Sequence, residues 1–335
     1  MARNAKVRNK LIVDAFKKFP GKPKQTIAKW LCKQYPLEFT TLEAARSAIR
    51  IRTGAQGSRS QKERCTLPQI GKPAKTSTPL KIPKGIKQNK PSVLVKTPGK
   101  YLVTGDWHVP YHDETALQAM FDFAIKEGCQ HLYINGDAID FYQSSRWVKD
   151  PRARSLEGEL NMLWDILDQV TPHFPGLKYY KIGNHEDRFT SRLWQATPEL
   201  ATLARFDVDQ VLEVKERGFK VVQSTQFAKF NSLWMVHGHE LAKGAFSPVN
   251  VARGVFLRTR QTAATNHWHR TSSHIETGGL SKKVTTCYSI GCMCGLSPRY
   301  APTNNWNHGF AIVELEGNDY HFENYTVDKG KVFST

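Results

Sequence analysis

The first regular feature of the chain is a series of apolar residues at helical spacing within its first fifty positions. A first amphipathic helix carries on one side Leu11, Ile12, Ala15, Phe16 and Phe19. A second helix, from Lys24 to Gln34, aligns Ile27, Trp30 and Leu31, and a third begins at the Thr40-Thr41 cap. These elements predict a small all-α module over residues 1–53.

The apolar periodicity disappears between residues 54 and 99. Lys, Pro, Gly, Ser, Thr and Gln dominate there, as in GKPAKTSTPLKIPKGIKQNKPS. Such a composition buries too little apolar surface to offset the entropy of ordering the chain. We therefore predict a flexible basic linker over residues 54–99.

A β-then-α pattern begins after residue 100 and repeats. Buried strands are predicted in the segments KYLVTGDWH, HLYINGDAID, LKYYKIGNH, FNSLWMVHGH and ATNHWHR, with helices over residues 114–127 and 155–170. A final hairpin turns near Gly317-Asn318. Each of the five strands ends in polar residues, and the carboxyl ends of strands are where α/β sheets bind ligands. The pattern predicts an α/β domain over residues 100–335 with its site along one rim.

Charge separates the two parts of the chain. The first hundred residues hold 24 of the 48 Lys and Arg residues but only four of the 30 acidic ones, a net charge of +20. The remainder has a net charge of −2. A strongly basic region before a neutral domain indicates a polyanionic partner, and nucleic acid is the partner we expect.

Cysteine usage and hydropathy indicate the compartment. The six cysteines show no regular disulfide framework, and Cys292 and Cys294 are too close together for an ordinary zinc site. We expect reduced, mostly buried thiols. The chain shows no signal peptide and no apolar stretch of the ~20 residues that a membrane span needs. We therefore expect a cytoplasmic protein that makes no use of a membrane.

Five short polar strings occupy the predicted strand ends. In chain order they are Asp106-Trp-His108, Gly136-Asp137, Gly183-Asn184-His185, His237-Gly-His239 and His267-Trp-His269. Alternation in an extended segment would place residues i and i+2 on one face, so that each His-x-His or Asp-x-His pair points to one ion. Imidazole and carboxylate are suitable ligands for Mn²⁺, Fe²⁺, Zn²⁺ or Ni²⁺.

Over residues 100–330 this set resembles the calcineurin-like metallophosphoesterase superfamily, whose ordered pattern is D-x-H, G-D, G-N-H-[ED], H-G-H and G-H-x-H. The spacing and the string GNHEDR are most similar to bacterial and phage-encoded members. One departure is Asn266, which stands where the family has Gly before the last His-x-His. Because Asn tolerates a positive φ, we expect the turn to be kept.

The resemblance implies a four-layer α/β/β/α sandwich and two divalent metal ions, Mn²⁺ before Fe²⁺, Zn²⁺ or Ni²⁺. It implies that the first metal is bound by Asp106, His108 and His269, and the second by Asn184, His237 and His267. Asp137 would bridge the two metals, His239 would lie behind the ligands, and His185 would stand beside the substrate as a catalytic residue. Hydrolysis would proceed by attack of a metal-bridging hydroxide.

Elementary charge accounting agrees with this arrangement. Two divalent ions with Asp106 and Asp137 leave a net charge of +2, which attracts phosphate and lowers the pKa of a bound water. A protonated His185 would assist the leaving oxygen. Arg188, and Asn184 beside it, are candidate substrate contacts, although a solvated Arg188 explains the sequence equally well. Asp140 is a candidate for orienting a ligand. For Trp107, Trp147, Trp194, Trp268 and Trp306, packing is expected over stacking on a base.

Three functions are compatible with these residues. The first is a nucleic-acid phosphodiesterase or nuclease, which the basic N-terminal third favours. The third helix, with Arg46, Arg50 and Arg52, would then bind DNA as in a helix-turn-helix module. The alternative is that the three helices form a docking module whose arginines are solvated. The second is a phosphatase acting on phosphomonoesters; the Asp-Arg-Gly of protein phosphatases is missing from GDAIDFYQSSR. The third, a scaffold without catalysis, is disfavoured because all seven ligand positions are filled.

Overall fold

A computed structural model describes residues 2–53, 83–86, 92–146, 150, 155–241 and 249–335. The chain divides into two compact units, Met1–Ile86 and Lys87–Thr335. Most of the predicted linker, and Trp147, lie outside the described residues. Val93–Val95, however, forms a strand of the second unit. The start of the second unit was therefore predicted too late in the chain, because a three-residue edge strand carries almost no periodicity.

The described part of the first unit contains three helices, α1 (Ala2–Lys18), α2 (Lys24–Gln34) and α3 (Leu42–Thr53). The all-α N-terminal module is therefore confirmed. The Thr41 hydroxyl accepts a hydrogen bond from the Ala44 amide at 3.1 Å, which is an N-terminal cap of α3. The helices enclose a small core of Ile12, Ala15, Ile27, Ala28, Leu31, Phe39, Ala45 and Ile49.

The third helix presents a smaller basic face than predicted. Arg46 and Arg50 are exposed, but Arg52 is only 7% exposed. Arg52 follows Ala45 and Ile49 at the i+7 and i+3 positions, so the helical period turns it toward the core. The prediction that Arg52 shares the exposed face is wrong.

The second unit consists of thirteen described strands and five described α-helices. The strands are β1 (Val93–Val95), β2 (Gly99–Thr104), β3 (His131–Ile134), β4 (Lys178–Lys181), β5 (Phe219–Val222), β6 (Ala228–Phe230), β7 (Leu233–Val236), β8 (Ala263–Thr265), β9 (Ser272–Thr277), β10 (Val284–Ser289), β11 (His308–Glu316), β12 (Asp319–Asp328) and β13 (Lys331–Ser334). The helices are α4 (Glu114–Lys126), α5 (Leu156–Val170), α6 (Asn184–Ala196), α7 (Val208–Val211) and α8 (Val251–Thr259).

The strands form two sheets. One has the order β1-β6-β7-β8-β10-β9 and the other β13-β12-β11-β2-β3-β4-β5. In the second sheet β2, β3, β4 and β5 run parallel, and β11 to β13 continue it antiparallel. In the first, β7 and β8 are parallel neighbours.

Alternation along the central strands produces two cores. Tyr101 and Val103 of β2 face the other sheet in a core shared by both, whereas Leu102 faces α4 and α5. On the outer side of the first sheet, α8 packs through Val251 and Val255. The layers are therefore α/β/β/α, and the predicted four-layer fold is confirmed. Among the helices that the structure describes, none is long and apolar enough to cross a membrane.

Candidate metal centre

The five polar strings meet where the two sheets present the carboxyl ends of parallel strands. Asp106 and His108 follow β2, Asp137 follows β3, and Asn184 follows β4 and begins α6. From the other sheet, the residues that follow β7 and β8 are His237, His267 and His269. The side chains are buried or half-buried.

Asp106, His108 and His269 form the first group. The Nε2 atoms of His108 and His269 are 3.1 Å apart, and they lie 3.9 and 3.7 Å from Asp106 Oδ1. Ligand atoms bound at about 2.0–2.2 Å from one ion stand roughly 3–3.5 Å from each other. These are the residues predicted for the first metal, and their spacing is close to that of a coordination shell.

Asp137, Asn184, His237 and His267 form the second group. His237 Nε2 lies 3.2 Å from Asp137 Oδ2 and 3.1 Å from Asn184 Oδ1. Donor atoms of His267, His237 and Asp137 all lie within 4.8 Å of one another. Those of Asp137, His108 and His185 meet the same limit, so Asp137 stands between the two groups.

The backbone turns sharply at the predicted ligands. Asp106, His108 and Asp137 have φ of 51°, 51° and 55°, and His267 and His269 have φ of 69° and 55°. Asp and His adopt this left-handed region more readily than most residues, at a cost of about 1–3 kcal/mol each. The side chains therefore converge through consecutive tight turns. The alternation of an extended segment, from which their convergence was predicted, is the wrong reason.

Two glycines allow the loops to approach each other. A Cβ on Gly183 would lie 2.2 Å from Asp137 Oδ1, and a Cβ on Gly136, which has φ of 92°, would lie 2.7 Å from His237 Nδ1. Any larger residue at either position would displace a predicted ligand. The glycines of the G-D and G-N-H strings therefore serve close packing behind the site.

Glu186 is a supporting residue that the sequence analysis missed. Its carboxylate is fully buried and accepts hydrogen bonds from the Asp137, Ala138 and Gly183 amides at 2.9 Å and from the Tyr180 hydroxyl at 2.8 Å. Burial, and then the nearby Asp137 charge, raise the pKa of Glu186 to about 7. Glu186 is the fourth residue of the string GNHEDR, but the sequence alone does not show which groups it contacts.

His237 is held from two sides. Its Nδ1 donates to the Asn135 carbonyl at 2.6 Å, which leaves Nε2 free for a metal. Its amide, with that of Gly238, donates to Glu240, and Glu240 forms a buried ion pair with Lys181 at 3.0 Å. Burial alone would raise the pKa of Glu240, but Lys181 lowers it to about 2.

Asn266 has a different role from the one predicted. It is absent from the positive-φ residues, so tolerance of that backbone conformation does not explain its presence. It is fully buried, its Oδ1 accepts from Asn135 Nδ2 at 2.9 Å, and its Nδ2 donates to the Gly291 carbonyl at 3.2 Å. The amide side chain thus joins the loops that follow β3 and β8.

His185 lies beside both groups and is oriented by Asp140. Its Nδ1 is 2.9 Å from Asp140 Oδ1, while its Nε2 is 3.9 Å from Asp137 Oδ2. Asp140 Oδ1 also lies 3.5 Å from His108 Nδ1, so one carboxylate steadies two imidazoles. Burial would raise the pKa of Asp140, but the two imidazoles hold it well below its usual range. The Arg188 guanidinium contacts the Asp140 carbonyl at 3.4 Å.

His239 and Cys294 lie behind the predicted ligands. The His239 ring centroid is 5.3 Å from that of His237, and its Nδ1 is 3.6 Å from Glu240. The Cys294 sulfur lies 3.7 Å from His269 Nδ1, the nitrogen that faces away from Asp106. A hydrogen bond with Cys292 and then burial raise the pKa of Cys294, so it acts as a neutral thiol. No pattern in the sequence pointed to this contact.

The histidines among the predicted ligands fall into two groups, one with a lowered pKa and one with a raised pKa. Burial lowers the pKa of His108 to about 4 and that of His267 to about 3. Burial also acts against charge on His237 and His269, but Asp137 and Asp106 respectively raise the pKa of each to about 10. Asp106 and Asp137 are buried, yet the adjoining imidazoles lower their pKa values.

Comparison with known proteins gives matches only at the level of solved structures. No family model matches this chain, and no curated protein matches it. Similar structures include a Vps29 variant from Entamoeba histolytica (15% identity, 70% of this chain and 97% of that one, TM-score 0.38). They also include a predicted phosphoesterase from Streptococcus pneumoniae (13%, 72% and 100%, 0.27) and the nuclease MPE of Pseudomonas putida (13%, 70% and 87%, 0.31).

These similarities are remote, so the function has to be argued from the chain's own residues. The two facing sheets, the helices outside them and the order of the five strings are those expected from the resemblance described above. The second unit therefore has the four-layer α/β/β/α fold that the resemblance implies.

Proposed function

We propose that this protein is a dinuclear metal-dependent phosphoesterase that hydrolyses phosphodiester bonds of nucleic acid. One observation carries the proposal. Asp106 Oδ1 is fully buried and has no hydrogen-bond donor within the described part of the chain, yet it faces three imidazole nitrogens at 3.7–3.9 Å. A buried carboxylate oxygen so placed needs a compensating positive charge, from a protonated imidazole or from a bound metal ion, because an unpaired buried charge is strongly unfavourable.

The seven predicted ligands fit a pair of divalent ions. Asp106, His108 and His269 would hold one ion, Asn184, His237 and His267 the other, and Asp137 both. Oxygen and imidazole ligands without thiolate suit Mn²⁺ first, with Fe²⁺, Zn²⁺ and Ni²⁺ as alternatives. Such ions, when bound, neutralise phosphate charge and lower the pKa of water at the site.

The chain's own residues supply orientation and a proton. With Nδ1 donating to Asp140, His185 presents Nε2 toward the predicted metal ligands, where it can give a proton to a leaving oxygen. Arg188 donates to the carbonyl of Asp140, the residue that orients His185, and its guanidinium can bind two phosphate oxygens. Asp140 therefore acts as a positioning residue, and His185 as the general acid.

Nucleic acid is the proposed substrate because of the first unit. Arg46 and Arg50 line a shallow pocket of about 280 Å³ together with Lys24, Gln25 and Ile49. Glu43 pairs with both arginines, at 3.4 and 3.6 Å, but these are exposed ion pairs that a phosphate can replace. Phosphate contacts of this kind bind the backbone of nucleic acid irrespective of its sequence.

The test is hydrolysis by the purified, Mn²⁺-supplemented protein of single-stranded DNA, double-stranded DNA, RNA, a bis-aryl phosphodiester and an aryl phosphomonoester. We expect hydrolysis of the nucleic acids and of the diester, abolished by a chelator. Hydrolysis of the monoester alone would replace the proposal with a phosphatase. If every activity persists in the presence of the chelator, both functions are contradicted.

A further inference from the structure

An aromatic surface borders the predicted first metal group. The Trp306 ring centroid lies 4.2 Å from that of His269, at an interplanar angle of 68°. The Tyr300 ring follows at 6.2 Å from Trp306. Trp306 is half-buried, whereas Tyr300 is 79% exposed. Two aromatic rings thus extend from a predicted ligand outward to solvent.

The loop that carries these rings is held by specific hydrogen bonds. Asn304 Nδ2 donates to the carbonyls of Leu296 and Ala301 at 2.7 and 2.8 Å, and Asn304 Oδ1 accepts from the Trp306 amide at 2.8 Å. The Gly295 amide donates to the Tyr111 carbonyl at 2.8 Å, which ties the loop to the segment following His108. Tyr300 is therefore exposed on a loop whose conformation is held by hydrogen bonds.

Tyr300 is also within electrostatic range of residues that adjoin His185. Its phenol interacts electrostatically with Asp140 and Arg188, the residues that contact His185 or the space beside it. Partial desolvation, Cys294 and Asp140 raise the pKa of Tyr300 to about 12, whereas Arg188 acts to lower it, so the ring stays neutral at physiological pH. A neutral aromatic face within electrostatic range of an arginine suits a nucleotide, whose phosphate is anionic and whose base is flat and uncharged.

We propose that Tyr300, supported by Trp306, is a stacking site for the base of the nucleotide that adjoins the scissile phosphate. The inference rests on the proposed function and narrows its substrate class to phosphodiesters that carry a nucleobase. Bases stack on exposed aromatic rings with little regard to sequence, and each contact changes affinity by roughly tenfold. Trp306 packs against His269 and supports the Tyr300 ring, and Tyr300 presents an exposed aromatic face on which a base can stack.

The experiment compares two diesters with the same leaving group, thymidine 5′-(4-nitrophenyl phosphate) and methyl 4-nitrophenyl phosphate. For the Mn²⁺-loaded protein we expect a kcat/KM ratio that favours the thymidine ester. In Tyr300→Leu this ratio should fall about tenfold, through KM, whereas Tyr300→Phe should keep it. Phe333→Leu, which removes a half-exposed ring from the edge strand β13, is the matched control and should keep the ratio as well.

A binding measurement separates the base site from catalysis. Calorimetry with thymidine 5′-monophosphate and with 2-deoxyribose 5-phosphate should show tighter binding of the nucleotide, and Tyr300→Leu should remove the difference. If wild type prefers neither compound, or if Tyr300→Leu keeps the preference in both assays, the stacking site is refuted. If neither diester is hydrolysed but the Tyr300-dependent preference remains, the proposed function fails and the base site stands.

Discussion

Two of the four imidazoles among the predicted ligands carry the protons that a metal ion would replace. With pKa values near 10, His237 and His269 are protonated at neutral pH and balance Asp137 and Asp106. His108 and His267, with pKa values of about 4 and 3, are neutral. Metal binding would therefore replace protons by metal ions, and the two buried carboxylates would be compensated in either state.

This exchange predicts a pH dependence of metal binding. At pH 7.5, loading the chelated protein with two Mn²⁺ should release about two protons, one each from His237 and His269. Because both pKa values are raised, proton competition weakens as the pH rises toward 10, and the metal affinity should rise with it. Calorimetry in buffers of different ionisation enthalpy measures the released protons directly. A metal affinity that is constant between pH 6.5 and 9 would refute the assignment of these two residues.

His185 is predicted to act in proton transfer without binding a metal. His185→Ala should keep the metal content of wild type but lose about 10²–10⁴-fold in rate on a dinucleotide, whose leaving alkoxide needs a proton. A 4-nitrophenyl diester, whose leaving group needs none, should lose much less. Rates on both substrates, measured with metal analysis of the same samples, decide the point, since equal losses would exclude a general acid at this position.

The elements that frame the centre were largely predictable, and the contacts between them were not. The apolar runs that became β2, β3, β4, β7 and β8, and the helices α4 and α5, were recognised because a buried strand and an amphipathic helix each have a local period. The strands β5, β9, β10 and β13 and the helix α6 were missed because their apolar signal is short or mixed. The hydrogen bonds of Glu186, Glu240 and Asn266 join segments far apart in sequence, so no local pattern reveals them.

Glu186 tests whether contacts between elements orient the predicted ligands, because it joins the loop after β3 to the first turn of α6. In wild type, one carboxylate oxygen of Glu186 accepts from the Asp137 and Gly183 amides and the other from the Ala138 amide and the Tyr180 hydroxyl. In Glu186→Gln the side-chain amide nitrogen, itself a donor, must face one of these two pairs of donors. Orientation of Asp137 should suffer, with metal affinity falling about 10–100-fold.

Glu159→Gln is the matched control for that change. Glu159 is also buried, and its carboxylate accepts from the Tyr142 amide outside the predicted ligands. The control should lower the unfolding temperature without a comparable change in metal affinity. If both variants bind Mn²⁺ as tightly as wild type, Glu186 is a residue of general stability only.

At the level of the whole molecule, the charge asymmetry between the basic first hundred residues and the rest predicts a separate task for each unit. A shortened protein that begins at Lys87 keeps β1 and every predicted ligand, so it should retain its rate on a small diester. Its binding to DNA or RNA should weaken strongly, and the fall in affinity between about 50 and 200 mM salt should become shallower. Filter binding across this salt range, with small-diester kinetics in parallel, measures both effects.

Substitutions in the full chain refine that experiment. Arg46→Ala with Arg50→Ala should weaken nucleic-acid binding more than Lys17→Ala with Lys33→Ala, which removes the same charge from exposed positions on α1 and α2. Equal effects would indicate a diffuse contribution of charge and would refute a phosphate site on α3. Unchanged binding after removal of residues 1–86 would refute the nucleic-acid role of the first unit altogether.

The proposed metal centre depends most strongly on Asp137, because this residue stands between both groups of predicted ligands. The measurement is metal content and diester turnover, determined together on wild type and on Asp137→Asn. We expect two Mn²⁺ per chain in wild type, fewer in the variant, and a loss of turnover of at least ~10³-fold. A variant that retains both its metals and its turnover near the values of wild type would contradict the account.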